Sequence, residues 1–194
     1  MTTTSITFRI DDNQIERLRK LADEQRISLN TLITHILDSY LEFEFIAPKV
    51  GFAPMQKSVL KDLFEAVPDE EKIKQIAIKA ADDLIDSILI IYGKVDLDSV
   101  LSLISSRVRR SGFTLREFEN GKSQEMTRVT RKLVMQHDVG YHWSLFSKTH
   151  IERLINNAGY AAKIEMTENS LIIEILERGE ETGADSRGQL RTQF

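Results

Sequence analysis

Cysteine is absent from the 194-residue chain, which excludes disulfides, thiolate-bound zinc and a thiol nucleophile, and leaves histidine and carboxylate as the metal-ligating side chains. No apolar run approaches the ~20 residues of a membrane-spanning helix, and the opening MTTTSITFRIDD is too polar for a signal peptide. A soluble cytoplasmic protein with no membrane partner is expected. Neither sign of charge dominates: 26 Lys plus Arg stand against 30 Asp plus Glu, a net charge of −4. Without a global basic field, any affinity for nucleic acid must be local. There is no phosphate-binding glycine loop, GxSxG or HExxH, and the carboxylates are too scattered to nominate an acid–base pair. The sequence therefore predicts neither an enzymatic activity nor a cofactor. Proline is scarce, and two of the three fall in residues 46–54, IAPKVGFAP, a breaker cluster that predicts a linker between two domains.

What is present before that linker is regular. From Thr4 to Ile10 the residues alternate, with Ile6, Phe8 and Ile10 on one face and Ser5, Thr7 and Arg9 on the other, the period of a half-buried strand. Asp11 or Asp12 is placed to cap a helix that carries Ile15, Leu18, Leu21 and Ala22 inward and runs to about Gln25. Ser28 caps a second helix with a stripe of Leu29, Leu32, Ile33, Ile36, Leu37, Tyr40 and Leu41.

Beyond the linker the spacing predicts a helix over Met55 to Val67 and, after Pro68, a longer one with a heptad-like seam from Ile73 through Ile76, Ala77, Ala80, Ala81, Leu84, Ile85 and Ile88 to Leu89. A third helix is expected from Leu97 to Val108, opened by Asp96 or Asp98 and closed by Arg107, Arg109 and Arg110. The period then shortens. FTLREFE and EMTRVTRKLV flank Asn120-Gly121, a strong two-residue hairpin signal. A helix from about Trp143 to Ala158 and a second hairpin, turning at Glu168-Asn169-Ser170, complete an α+β domain of three helices, hairpin, helix and hairpin over 55–177. Residues 178–194 lack periodic apolar residues and are expected to be a mobile tail.

The segments ITFRIDDNQIERLRKLA and ISLNTLITHIL resemble the ribbon-helix-helix DNA-binding proteins of the MetJ/Arc/CopG type; the resemblance covers about the first 45 residues. It implies a homodimer in which the N-terminal strands of two chains pair antiparallel and enter the major groove of double-stranded DNA. Ser5, Thr7 and Arg9 would then read bases: Arg9 has a planar fork suited to guanine, and Thr7 offers a hydroxyl and a methyl. The resemblance also implies phosphate contacts at the start of the second helix, here Ser28, Leu29 and Asn30, where free amides favour an anion. Arg26 stands where the family often has glycine, so the first helix is expected to end without an easy left-handed residue; Arg26 adds a candidate phosphate contact. Residues 1–44 hold five basic and eight acidic side chains, a balance of −3, which predicts modest DNA affinity with steep salt dependence.

The added domain points to a regulator with an oligomerising or effector-sensing part, as dimer or tetramer. The other reading is an antitoxin-like or adaptor module that dimerises through the same ribbon. His137, Asp138, His142 and His150 are close in sequence and form a candidate metal site, with packed histidines as the alternative. QHDVGYHWS is either one wall of a small-molecule effector pocket or a helix entry with Trp143 packed. Arg107, Arg109 and Arg110, with Arg128, Arg131 and Lys132, make two basic clusters that either touch an anion or form a solvated face.

Overall fold

The computed structural model describes residues 4–45, 47–118 and 129–177. The chain forms two compact units that divide between Pro54 and Met55.

The first unit holds α1 (Asp12–Gln25) and α2 (Leu29–Ser39), followed by a π-helical turn over Tyr40–Glu44 and a 3-10 turn over Ala47–Val50. Capping fixes both helix starts. The Asp11 carboxylate accepts from the Asn13 amide at 2.9 Å, and the Ser28 hydroxyl accepts from the Thr31 amide at 3.0 Å; each satisfies an amide with no acceptor inside its helix. The joint between the helices departs from expectation. Arg26 itself adopts the left-handed conformation, at φ 56° and ψ 39°, and its amide donates to Ala22 and Asp23, while the Ile27 amide reaches back to the Ala22 carbonyl at 3.0 Å. The hydrogen bonds from these two amides, which close the helix end, thus hold a side-chain-bearing residue in a conformation costing ~1–2 kcal/mol. Arg26→Gly removes that cost and restores some chain entropy to the unfolded state, so a net gain of up to about 1 kcal/mol is expected. A thermal melt at fixed protein concentration checks it, and a lower Tm would mean that the arginine side chain contributes more than its backbone costs.

The expected strand over Thr4–Ile10 is not a paired strand in this single chain; the segment joins neither helix nor sheet. The physical reason is that a ladder needs a second strand, and every strand among the described residues belongs to the second unit.

The second unit is α+β. Three helices, α3 (Lys57–Glu65), α4 (Glu70–Tyr92) and α5 (Leu97–Arg110), precede β1 (Thr114–Phe118), β2 (Val129–Gln136), α6 (Tyr141–Asn157), β3 (Tyr160–Met166) and β4 (Ser170–Glu177). The four strands form one antiparallel sheet in the order β1-β2-β4-β3, so the two hairpins join along β2 and β4. Leu133, Met135, Ile164, Leu171, Ile173 and Ile175 alternate onto the covered sheet face and are buried. α6 packs on β3 and β4 and in turn carries α4. Ile151, Leu154 and Ile155 of α6 are at most 4% exposed, each worth roughly 1.5–3 kcal/mol of burial.

The apolar seam of α4 is thereby used within the chain, by α6, and it is narrower than its spacing suggests. Ile73, Ala77, Ala81, Leu84 and Ile88 are buried, but Ile76 and Leu89 are exposed. The first hairpin is present as β1 paired antiparallel with β2, with Phe118 opposite Lys132. β2 is held on its other side by β4, where Leu133 meets Ile173 and Met135 meets Leu171, so apolar residues face apolar residues across the seam. Asn120, Gly121 and the expected mobile tail over 178–194 lie outside the described residues. Among the described residues, no helix is long and apolar enough to cross a membrane.

Candidate nucleic-acid interface

Ser5, Thr7 and Arg9 are exposed, as the alternating pattern requires of outward residues. Their apolar neighbours are exposed as well: Ile6 is 71% accessible and Phe8 53%. Phe8 and Ile10 border a groove of about 780 Å³ whose other walls come from α1 and α2, notably Leu18, Leu21, Ile33 and Leu37. The helices contribute little core of their own, since Ala22 and Leu32 are the residues of α1 and α2 that are buried. The unit therefore has well-capped helices around an apolar surface left unfilled.

At the start of α2 the Ser28 hydroxyl meets both the amide and the hydroxyl of Thr31, and the Leu32 amide donates to the Ser28 carbonyl. Helix geometry leaves the amides of Leu29 and Asn30 at the positive end without intrahelical acceptors. Arg26, Ser28 and Asn30 are exposed and Leu29 is half-buried, so the four candidate phosphate-binding residues share one exposed turn.

The four candidate metal ligands are not brought together. His137 is buried and neutral in its contacts: Nδ1 accepts from the Val139 amide at 3.3 Å, which leaves Nε2 to donate to the Ser144 hydroxyl at 2.9 Å, and that hydroxyl donates to the Glu168 carbonyl at 3.1 Å. Asp138 pairs instead with Lys57 at 3.1 Å. His142 Nδ1 lies 3.0 Å from the Phe64 carbonyl, on the α3 side. His150 donates from Nδ1 to the Ala77 carbonyl at 3.3 Å, and its Nε2 accepts from Arg107 at 3.4 Å. Among the described residues no group of three ligating side chains converges. Sequence proximity misled because the residues straddle a strand end and more than two turns of α6, facing α3, α4 and α5 separately.

Burial pushes His137 down to about 4, opposed weakly by Asp138. It pushes His150 down to about 4 also, reinforced by the Arg107 charge and opposed by the Ala77 carbonyl.

The basic clusters divide likewise. Arg109 is exposed, but Arg107 turns inward onto His150, and burial lowers its guanidinium from the ordinary value. Arg131 pairs with Asp98 at 2.8 Å and Glu117 at 3.4 Å, and Lys132 with Glu174 at 2.8 Å; Arg128 lies outside the described residues. The inward turn of Arg107 was readable: Ile104, Arg107, Val108 and Ser111 share one helical face by their spacing. Trp143 packs edge-on against Phe64, with ring centroids 5.1 Å apart, and stacks on Phe146 at 5.1 Å. The helix-entry reading of QHDVGYHWS therefore describes that side chain's packing. Comparison of the chain with protein-family models and with curated proteins finds no match.

Proposed function

We propose that this protein is a homodimeric, sequence-specific DNA-binding transcriptional regulator of the ribbon-helix-helix kind. The observation that carries the reading is the half-built core of the first unit. Exposed Ile6, Phe8 and Ile10 beside the groove of α1 and α2 are the surface that a second copy would bury, and pairing of the two Thr4–Ile10 segments would satisfy their backbone groups. Such a ribbon would project Ser5, Thr7 and Arg9, in duplicate, toward the major groove. The free amides of Leu29 and Asn30, with Arg26 and Ser28 beside them, would anchor phosphates and set the register of the ribbon. The second unit would set oligomeric state or sense an effector, and so change the affinity for paired half-sites.

The test is salt-titrated binding to DNA from upstream of the protein's own gene and to a genomic fragment pool, with Arg9→Ala alongside. Loss of the arginine is expected to cost ~1–3 kcal/mol of discrimination, about 5- to 150-fold, with dimerisation intact. Failure to enrich any sequence from the pool at low salt would sink the DNA reading and leave the dimeric interaction module in its place.

A further inference from the structure

β3 stands at one edge of the sheet, and among the described residues its ladder partner is β4 alone. The strand is regular. All seven of its residues pair with β4 without a register shift, and it holds neither the proline nor the bulge that commonly blunts an edge. Its orientation follows from the turn: the Thr167 amide donates to the Ser170 carbonyl at 2.9 Å, and backbone groups in an antiparallel pair alternate between the partner and the far side. Lys163 and Glu165 therefore direct their amides and carbonyls to β4, while Ala162, Ile164 and Met166 direct theirs along the open edge.

Such a row is a template for another strand, and the side chains say which. Opposite residues in a sheet share a face, so a second copy pairing antiparallel about a two-fold axis at Ile164 sets Lys163 of each chain against Glu165 of the other. Ile164 then meets its own copy with both backbone hydrogen bonds exchanged, and Ala162 meets Met166. Lys163 and Glu165 fall at the intervening positions, where side chains lie closest. Both are exposed, at 63% and 67%, and already meet at 3.3 Å within one chain, so the second copy completes a square of alternating charge. Moving the axis one residue in either direction opposes Lys163 to Lys163 or Glu165 to Glu165, which is unfavourable. Charge thus selects one register. The other edge strand, β1, has no such match, because Arg116 and Glu117 are adjacent and lie on opposite faces, where no two-fold register opposes them.

We propose that β3 pairs antiparallel with β3 of a second copy of this chain, centred on Ile164 and fixed by reciprocal Lys163–Glu165 contacts, so that the two sheets become one. Seven residues a side make a small contact of the weak class, which adds to the first unit's dimer rather than replacing it. The pairing specifies the oligomerising role proposed above for the second unit and rests on that part of the reading, not on DNA binding.

The chain has no cysteine, so Lys163→Cys and Glu165→Cys each carry a single thiol. The two full-length variants are co-expressed, or prepared singly, and equilibrated with oxidised glutathione. The co-expressed pair is expected to give a disulfide dimer joining positions 163 and 165, at least ~10-fold more than either variant alone, whose like thiols lie diagonally at ~7–8 Å, beyond disulfide reach. Lys163→Glu or Glu165→Lys, each shown folded by circular dichroism, is expected to weaken association at high protein concentration at least ~5-fold by sedimentation, because repulsive pairs replace attractive ones on both sides of the axis. An equimolar mixture of the two opposes acid to base again and is expected to restore it. Equal cross-linking of either cysteine variant alone would overturn the register. No disulfide in the co-expressed pair would overturn the contact and leave the edge to residues 178–194 or to a different protein. A mixture of the charge variants no more associated than its components would overturn the selection by charge. If enrichment of DNA persists while the disulfide fails, this contact falls and the DNA reading stands; the converse result reverses that.

Discussion

Ile36→Asp or Leu21→Asp is expected to abolish dimerisation and DNA binding together while leaving the second unit folded. Both side chains are part-exposed in the single chain, 45% and 40%, and both line the groove. A carboxylate there is hydrated in the monomer and costs little; in the proposed dimer it is stripped of water, at several kcal/mol per ion. Two-fold symmetry imposes the penalty twice. Roughly 6 kcal/mol or more, over 10⁴-fold in dimer Kd, follows. Sedimentation equilibrium measures it. Ile90→Asp, at a residue 73% exposed on α4, is the matched control and should leave the dimer intact. If the groove variants sediment and bind DNA as the unaltered protein does, the groove is not the dimer core. If the control alone dissociates the protein, the interface lies on α4.

A second large effect concerns pH. Both His137 and His150 have folded-state values near 4, below the ~6.5 of an unfolded histidine. The unfolded chain therefore binds more protons between those values, and stability is lost as pH falls from about 6.5 towards 4. Each histidine contributes at most about 2 kcal/mol of loss by pH 5, so up to about 4 kcal/mol is expected from the pair. The contacts explain the sign. A proton on His137 Nδ1 would face the Val139 amide that now donates to it, and one on His150 Nε2 would face the Arg107 guanidinium. Urea unfolding of the second unit at pH 7, 6 and 5 measures the slope, and His137→Gln, which does not titrate, is expected to remove about half of it. A stability unchanged from pH 7 to 5 would show that neither ring is held neutral.

Local chemistry was the legible part of this chain. Asp11 or Asp12, Ser28, and Asp96 or Asp98 marked helix starts because a short oxygen-bearing side chain before an apolar stripe has one favourable use there, and it is Asp11, Ser28 and Asp96 that accept from helix amides. The second hairpin was legible because its turn, Glu168-Asn169, and its apolar register agree. The first was legible as two strands, β1 and β2, that pair antiparallel, while its expected turn at Asn120-Gly121 lies outside the described residues. Helical spacing revealed the apolar side of α4 without revealing that small Ala77 and Ala81 would confine contact with α6 to a strip. At the candidate interface, alternation sorted Ser5, Thr7 and Arg9 from Ile6, Phe8 and Ile10, but periodicity names a face and not its partner. The histidines looked like one site because sequence shows separation along the chain and not direction around a helix.

The strand order also bears on how the second unit is made. Each hairpin pairs residues near in sequence, but the seam joining them sets Leu133 against Ile173 and Gln136 against Ser170, with α6 between. The turn at Glu168-Asn169 ties the parts further: the His137 amide donates to the Asn169 carbonyl at 3.0 Å, and the Gly140 amide, at a φ of 95° suited to glycine, donates to the Asn169 side chain at 3.1 Å. Closing so long a loop carries an entropy cost that only the completed seam offsets, which places refolding nearer the ~millisecond-to-second range of non-local topologies than the microseconds of helical bundles. During synthesis, the helices and the first hairpin must wait for β4 to emerge before the sheet can close. Until then β2 offers an unpaired edge of Leu133, Val134 and Met135, the stretch on which a chaperone or a second nascent chain would act.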